Sequence, residues 1–183
     1  FGKIVRVAAE TLSGIPSIVY GIFGMILFVG LFGWGESLIS GILTMTLMVM
    51  PLIMRTTEEA LRSVPDSFRE GSYALGAGKL RTIFVIILPS AMPGIISGVI
   101  LGLGRVVGET MALVFTAGAP RNASTASGLT DRGSTLTVYM YSLMNESSEH
   151  AGVAWAVAVV LIILVVLING AAEFIGNKLK KEY

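Results

Sequence analysis

The sequence has no cysteine. That removes disulfide frameworks, thiolate-held zinc and a thiol nucleophile together. Histidine occurs once, at position 150, too few for a histidine-built metal centre. Charge is scarce. Only 14% of residues are charged, where a soluble domain carries roughly 25%, and the balance is +1, which gives no basic footprint for nucleic acid. A nucleotide-cradling G-x-x-x-x-G-K-[ST] is also missing. Gly78-Lys79 is followed by Leu80, and Tyr73 stands where the first glycine belongs, so no nucleotide is held here in that manner. No cofactor or metal site is expected. Phe1-Gly2-Lys3 is neither a start methionine nor the opening of a signal peptide; the chain is expected to be a piece of a longer protein with further spans ahead of it.

What is present is apolar and arranged in blocks. Hydrophobic residues make up 54% of the chain, and long tracts hold almost no charge. A bilayer core takes roughly 20 apolar residues as a helix. Four such tracts are predicted as spans: Ile15–Phe32, Leu38–Met54 with Pro51 late in it, Ile83–Leu103, and Val153–Ile168. The apolar character of the third continues to Ala117 but takes in Arg105 and Glu109. The expected fold class is therefore an all-α integral membrane protein of one domain, residues 1–183. Lys3 and Arg6 precede the first span, five Lys or Arg lie in 55–82, and Lys178, Lys180 and Lys181 follow the last, against two in 119–150. By the positive-inside rule the start, the 55–82 loop and the end face the cytoplasm, and 119–150 is an external loop. Asn122-Ala123-Ser124 and Asn145-Glu146-Ser147 fit glycosylation acceptors but read as plain polar loop. The methionines of the second span, among them Met45, Met48, Met50 and Met54, read as packing filler.

The loop at 55–82 is the most informative stretch. Val64-Pro65-Asp66 is a helix start, with proline accepted in the first turn and an acid at the positive end of the dipole. Gly76 supplies a left-handed stop, and a second helix begins near Gly78-Lys79. Glu70-Gly71-Ser72-Tyr73-Ala74-Leu75-Gly76, followed by Ile86-Ile87-Leu88-Pro89, resembles the EAA loop of ABC importer permeases. Glu70, Gly76, Ile86, Leu88 and Pro89 are in register with that pattern, and Gly71 and Ser72 replace its two alanines. The resemblance implies a cytoplasmic coupling helix that lies in a groove of a separate ATP-binding subunit. Pro65, Arg69, Glu70, Gly71, Ser72, Ala74, Leu75 and Gly76 would form the contact. Such a subunit is itself no enzyme; ATP hydrolysis sits on a partner chain.

Arg105 and Glu109 are four apart, hence on one face if the helix is continuous. Charges at membrane depth pair with each other or face a polar path. Either these two form a structural ion pair near the outer interface, or they line a substrate route, where the planar fork of Arg105 matches a phosphate-like anion. Arg55 is a candidate for the inner mouth of that route or a plain anchor. Ser90, Gly94, Gly98 and Gly102 recur every four residues as a helix-packing stripe.

Three more stretches narrow the resemblance: Ser13-Gly14-Ile15-Pro16-Ser17-Ile18-Val19-Tyr20-Gly21, Arg55-Thr56-Thr57-Glu58-Glu59-Ala60-Leu61, and Gly104-Arg105-Val106-Val107-Gly108-Glu109-Thr110. With Leu136–Tyr141 they look like the phosphate-uptake permeases of the PstA type. This implies a type I ABC importer bundle, of which the four spans here are the last four of six, in a bacterial inner membrane. It also implies a heterodimer with a second permease subunit, two ATP-binding subunits, an external substrate-binding protein, and phosphate as cargo. Arg105, Glu109 and Thr110 would then belong to the conduction region. A permease for another oxyanion is the alternative within this class. A passive channel or scaffold would need no coupling loop, and an intramembrane enzyme would need a nucleophile and base that the spans do not hold.

Overall fold

The computed structural model describes residues 2–119, 128–146 and 150–181. Asn122-Ala123-Ser124, Arg121 and Ser147 lie outside them. The described chain is helical: α1 Gly2–Ser13, α2 Ser17–Gly24, α3 Leu38–Arg62, α4 Asp66–Ala74, α5 Lys79–Thr82, α6 Leu88–Gly108, α7 Met111–Thr116, α8 Leu136–Glu146 and α9 Ala151–Lys181. A π-helical stretch, Met25–Leu31, continues α2, and another, Ile83–Ile87, joins α5 to α6.

Among the described residues, three helices are long and apolar enough to cross a bilayer: Leu38–Arg62, Lys79–Gly108 and Ala151–Ala171. The first expected span is shorter than its apolar tract. Its helix, Ser17–Leu31, meets Arg6–Ser13 at a bend of 101°. Proline at 16 and glycine at 14 mark that corner, and the Tyr20 hydroxyl holds it by donating to the Leu12 carbonyl at 2.8 Å. The Arg6 guanidinium is held above its usual range by its hydrogen bond to Glu10, then by the charges of Glu10, Glu58 and Glu59, so α1 lies beside the end of α3.

The second span overruns its expected end. α3 passes through Pro51 and carries Arg55 to Arg62 as helix. The i,i+4 pairs Arg55–Glu59 at 3.0 Å and Arg62–Glu58 at 2.7 Å lie along those last turns and favour helix there.

The third span packs on the second through its glycines. A Cβ on Gly94 would stand 2.8 Å from Ala60 Cβ, one on Gly98 would overlap Thr56 Oγ1, and one on Gly102 would stand 3.2 Å from Val49 Cγ1. The stripe therefore lets α6 lie directly on α3, in antiparallel register. Above Gly102 the helix stops. Gly108 is its last residue, and Glu109 is extended, with φ −75° and ψ 132°. The short α7 resumes the direction, with Leu113 and Ala117 against Gly41. Gly102 lies level with Val49 and Leu113 level with Gly41, which places the break about 10 Å inside the first residue of α3, at 1.5 Å per residue. The helix thus outruns its expected end at Leu103 by five residues, and the apolar tract that continues to Ala117 is broken at Glu109.

The segment after α7 does more than link two spans. Leu38 N–H donates to Asp131 O at 2.8 Å, Ile39 N–H to Leu129 O at 2.9 Å and Ser37 N–H to Thr116 O at 3.0 Å. These are donors that a helix start leaves open. The chain then descends, and α8 packs on α9 with Val138 fully buried.

The glycines separate into two kinds, and substitution tells them apart. Gly98→Val should destabilise the purified protein by about 1–3 kcal/mol through overpacking. Gly71→Ala, where a Cβ meets nothing within 4 Å, should stabilise it by about 0.5–1 kcal/mol. Thermal unfolding in detergent reads both; a harmless Gly98→Val would contradict the packing described.

Candidate functional site

Two regions carry the candidate residues. The first is the hairpin between α3 and α6. Pro65 precedes α4, and Asp66 opens it as the one acid of its first turn. At the other end Gly76 has φ +81°. Ala77 N–H donates to Ser72 O at 3.1 Å and Gly76 N–H to Tyr73 O at 2.9 Å. This crossed pair is the Schellman stop, which needs the left-handed residue that glycine tolerates. Ser72 and Thr82 share a buried hydroxyl–hydroxyl bond of 2.8 Å, which ties α4 to α5. Arg69 pairs with Asp66 and donates to the Leu61 carbonyl at 3.3 Å, so α4 is also fastened to the end of α3. The hairpin is a fixed body.

Its outer surface is unusual for a polar loop. Leu75 is 90% exposed and Leu80 71%, with Phe68 and Tyr73 also exposed. Glu70 is exposed and has no hydrogen-bond or ion-pair partner among the described residues. Gly71 and Ala74 lie on the exposed side, and since a Cβ on Gly71 has open space around it, the fold itself does not require that glycine.

The second region surrounds the broken span. Arg105 occupies the last turn of α6, where a cation is favoured by the helix dipole. It is half-buried and near enough to Tyr20 for its charge to act on the phenol. Arg6, Arg55, Arg62, Arg69 and Arg132 each pair with a carboxylate; Arg105 has no such partner among the described residues. Glu109 does not neutralise it. The Glu109 carboxylate is 9% exposed and accepts from Ala112 N–H at 3.2 Å, so it caps the start of α7. Thr110, half-buried, is the flanking residue at that start. Arg55 lies on α3 beside Thr56, level with Gly98, about 10 Å along the helix axis from Arg105 at 1.5 Å per residue. Its guanidinium is taken by Glu59. So Arg105, Glu109 and Thr110 come together, and Arg55 stays apart.

Two residues escaped sequence reasoning. Tyr20 lay in an apolar tract, and only its hydroxyl set it off. Thr137 donates to the Glu109 carbonyl at 2.7 Å across 28 residues. Its signal was the Thr-x-Thr at the start of α8, with Thr135 before the helix and Thr137 in its first turn, a helix-start pattern. Beside the break, a cavity of about 590 Å³ opens along α3, lined by Met45, Met50, Ile53, Val106, Leu113 and Thr135 among others. Its wall is overwhelmingly apolar. No cluster of His, Asp or Glu able to hold a metal occurs among the described residues.

Residues 1–181 match the family model described as binding-protein-dependent transport system inner membrane component. The chain belongs to that family. Over 191 residues it is 37% identical to the probable ABC transporter permease protein YqgI of Bacillus subtilis strain 168, covering 97% of this chain and 65% of that one. Identity is 37% over 175 residues to the phosphate transport system permease protein PstA 1 of Mycobacterium tuberculosis strain H37Rv, covering 94% and 56%. For PstA of Yersinia pestis it is 33% over 182 residues, covering 97% and 60%. The chain thus spans 56–65% of the length of these curated relatives. Its fold is similar to a chain of the MetNI methionine ABC transporter solved in inward-facing conformations, with TM-score 0.71 and 24% identity, covering 97% of this chain and 74% of that one. The all-helical importer-permease fold expected from the sequence is the fold found.

The hairpin stop gives a local test. Gly76→Val places a β-branched residue at positive φ, at a cost of about 1–2 kcal/mol, and should speed amide exchange at Ala77. Gly78→Ala, at φ −71° with open space, should not. Equal protection in both variants would contradict the left-handed stop.

Proposed function

We propose that this permease is the membrane-spanning subunit of an ATP-driven importer of inorganic phosphate. The observation that carries the reading is one continuous helix, Lys79–Gly108. The exposed hairpin lies at one end, and Arg105, without a carboxylate partner among the described residues, lies near the other. A groove on an ATP-binding subunit receives α4. Gly71 and Ala74 allow close approach, Leu75 supplies the apolar anchor, and Glu70 and Arg69 set its orientation, while Ser72, turned inward to Thr82, holds α4 in place behind that face. Nucleotide-driven movement of α4 then displaces the helix as a rod and moves Arg105 at the far end.

Arg105 is suited to the cargo on chemical grounds. A guanidinium at membrane depth costs several kcal/mol unless matched, and its planar fork matches two oxygens of a tetrahedral anion. Glu109 and Thr110 shape the place where that anion passes. The names of the mycobacterial and Yersinia relatives support phosphate as cargo. The fork fits other tetrahedral oxyanions equally well, so competition by sulfate and arsenate measures how far selectivity lies elsewhere. Arg55, engaged by Glu59, serves as an anchor at the inner mouth and meets the anion only if that pair opens.

The remaining assembly follows the same reading: a second permease subunit, two ATP-binding subunits and an external binding protein, in a bacterial cytoplasmic membrane. The 55–82 hairpin and both ends face the cytoplasm, and 119–150 enters the bundle from the outer side, with Thr137 and Val138 buried in it.

Arg105→Gln in the full-length subunit, reconstituted with its partners, should lower phosphate uptake by about 10- to 100-fold, the scale of one charged hydrogen-bonded contact. The complex should still assemble and the ATP-binding subunit still co-purify. Undiminished uptake removes Arg105 from the route; failure to recover any ATPase with the parental protein removes the importer reading.

A further inference from the structure

We infer that Thr137 is a positioning residue for Arg105, its hydroxyl being the catch that fastens the outer tip of α6 to α8. The inference builds on the proposed role of Arg105 as the anion contact. The tip is where the third span ends: Glu109 N–H still donates to Val106 O at 3.2 Å, and the chain then turns extended. The Glu109 carbonyl has left the helix ladder and lies buried at membrane depth, where an unmatched carbonyl is costly. Thr137 Oγ1 donates to it at 2.7 Å.

The direction of that bond is set by proton bookkeeping. A threonine hydroxyl has one proton. Thr137 spends its proton on Glu109, so the 2.7 Å contact between Thr135 Oγ1 and Thr137 Oγ1 takes its proton from Thr135. Thr135 in turn accepts from Val138 N–H at 3.4 Å. The relay therefore runs from the first turn of α8 through two hydroxyls to the tip of α6. Thr137 is 6% exposed and Val138 fully buried, so water has no ready access to replace it. Nor can the Glu109 carboxylate, which is an acceptor only and already accepts from Ala112 N–H.

Arg105 lies one helical turn before this tip. Because Lys79–Gly108 is a single helix, displacement at the hairpin arrives at Glu109, and the Thr137 bond is what refers that displacement to α8, outside the α3–α6 pair. With the bond intact the guanidinium sits at a fixed place relative to α8. Without it the tip floats and the anion contact loses its geometry, while the hairpin and its docking are untouched.

The test uses the full-length permease assembled with its partners in proteoliposomes, with inorganic phosphate as the probe. Thr137→Val keeps the shape and removes the hydroxyl. It should raise the half-saturating phosphate concentration about fivefold to tenfold, the scale of one lost hydrogen bond, with ATP hydrolysis per complex retained. Thr137→Ser should return it close to the parental value. An unchanged half-saturation in Thr137→Val, or a serine variant as impaired as the valine one, overturns the inference. Should Thr137→Val not assemble, Thr135→Val removes the relay one step back and should give a smaller shift in the same direction; no shift there overturns the inference equally. Arg105→Gln is measured alongside. Normal uptake in it defeats the anion reading itself, whereas impaired uptake in it with a parental Thr137→Val defeats only the catch.

Discussion

A span that stops partway through a bilayer leaves backbone donors and acceptors where no water can meet them. The break at Glu109 creates that problem, and much of the outer half of this chain is arranged to answer it. The Glu109 carboxylate meets a donor at the start of α7, its carbonyl is met by Thr137, and Arg105 stands at the negative end of the interrupted helix. The inward course of residues 131–137, from the start of α3 to the level of Glu109, follows from the same need. A loop that only crossed outside could not deliver a hydroxyl to that depth.

The same constraint underlies the anion route proposed at the break. An uninterrupted apolar helix offers nothing polar sideways. An interrupted one, once its own groups are satisfied, leaves a guanidinium whose charge is balanced by a dipole rather than by a carboxylate. The six-charge neighbourhood of Arg6, Glu10, Arg55, Glu58, Glu59 and Arg62 behaves differently, because every guanidinium there already has its carboxylate. It cements α1 and the end of α3.

The parts legible in the sequence are those decided by local chemistry. The hairpin was readable because Pro65, Asp66 and Gly76 each dictate a backbone state on their own. The small-residue stripe was readable because its four-residue period follows from helix geometry alone. The break at Glu109 was not, since Val106 to Thr116 contains no proline and reads as one apolar run. What separates α6 from α7 is supplied from afar: the Thr137 hydroxyl arrives from 28 residues away, and Gly21 leaves room for Ala112, to whose Cα a Cβ there would come within 2.9 Å. The overrun of α3 was missed for the opposite reason. Charges at 55–62 look like loop until their i,i+4 pairing is counted. The ion pair between Arg105 and Glu109, one of two readings their spacing offered, is not formed, since two residues share a helix face only if the helix continues between them.

Gly94, Gly98 and Gly102 have a mechanical meaning beyond close packing. Thr56 sits in the notch left at Gly98 as a tooth sits in a rack, with Ala60 and Val49 engaged one notch to either side. Sliding α6 along α3 would require every tooth to climb out together. Tilting the meshed pair about its long axis requires none to move. The mesh therefore resists sliding of one helix along the other and leaves the pair free to move only as a single beam.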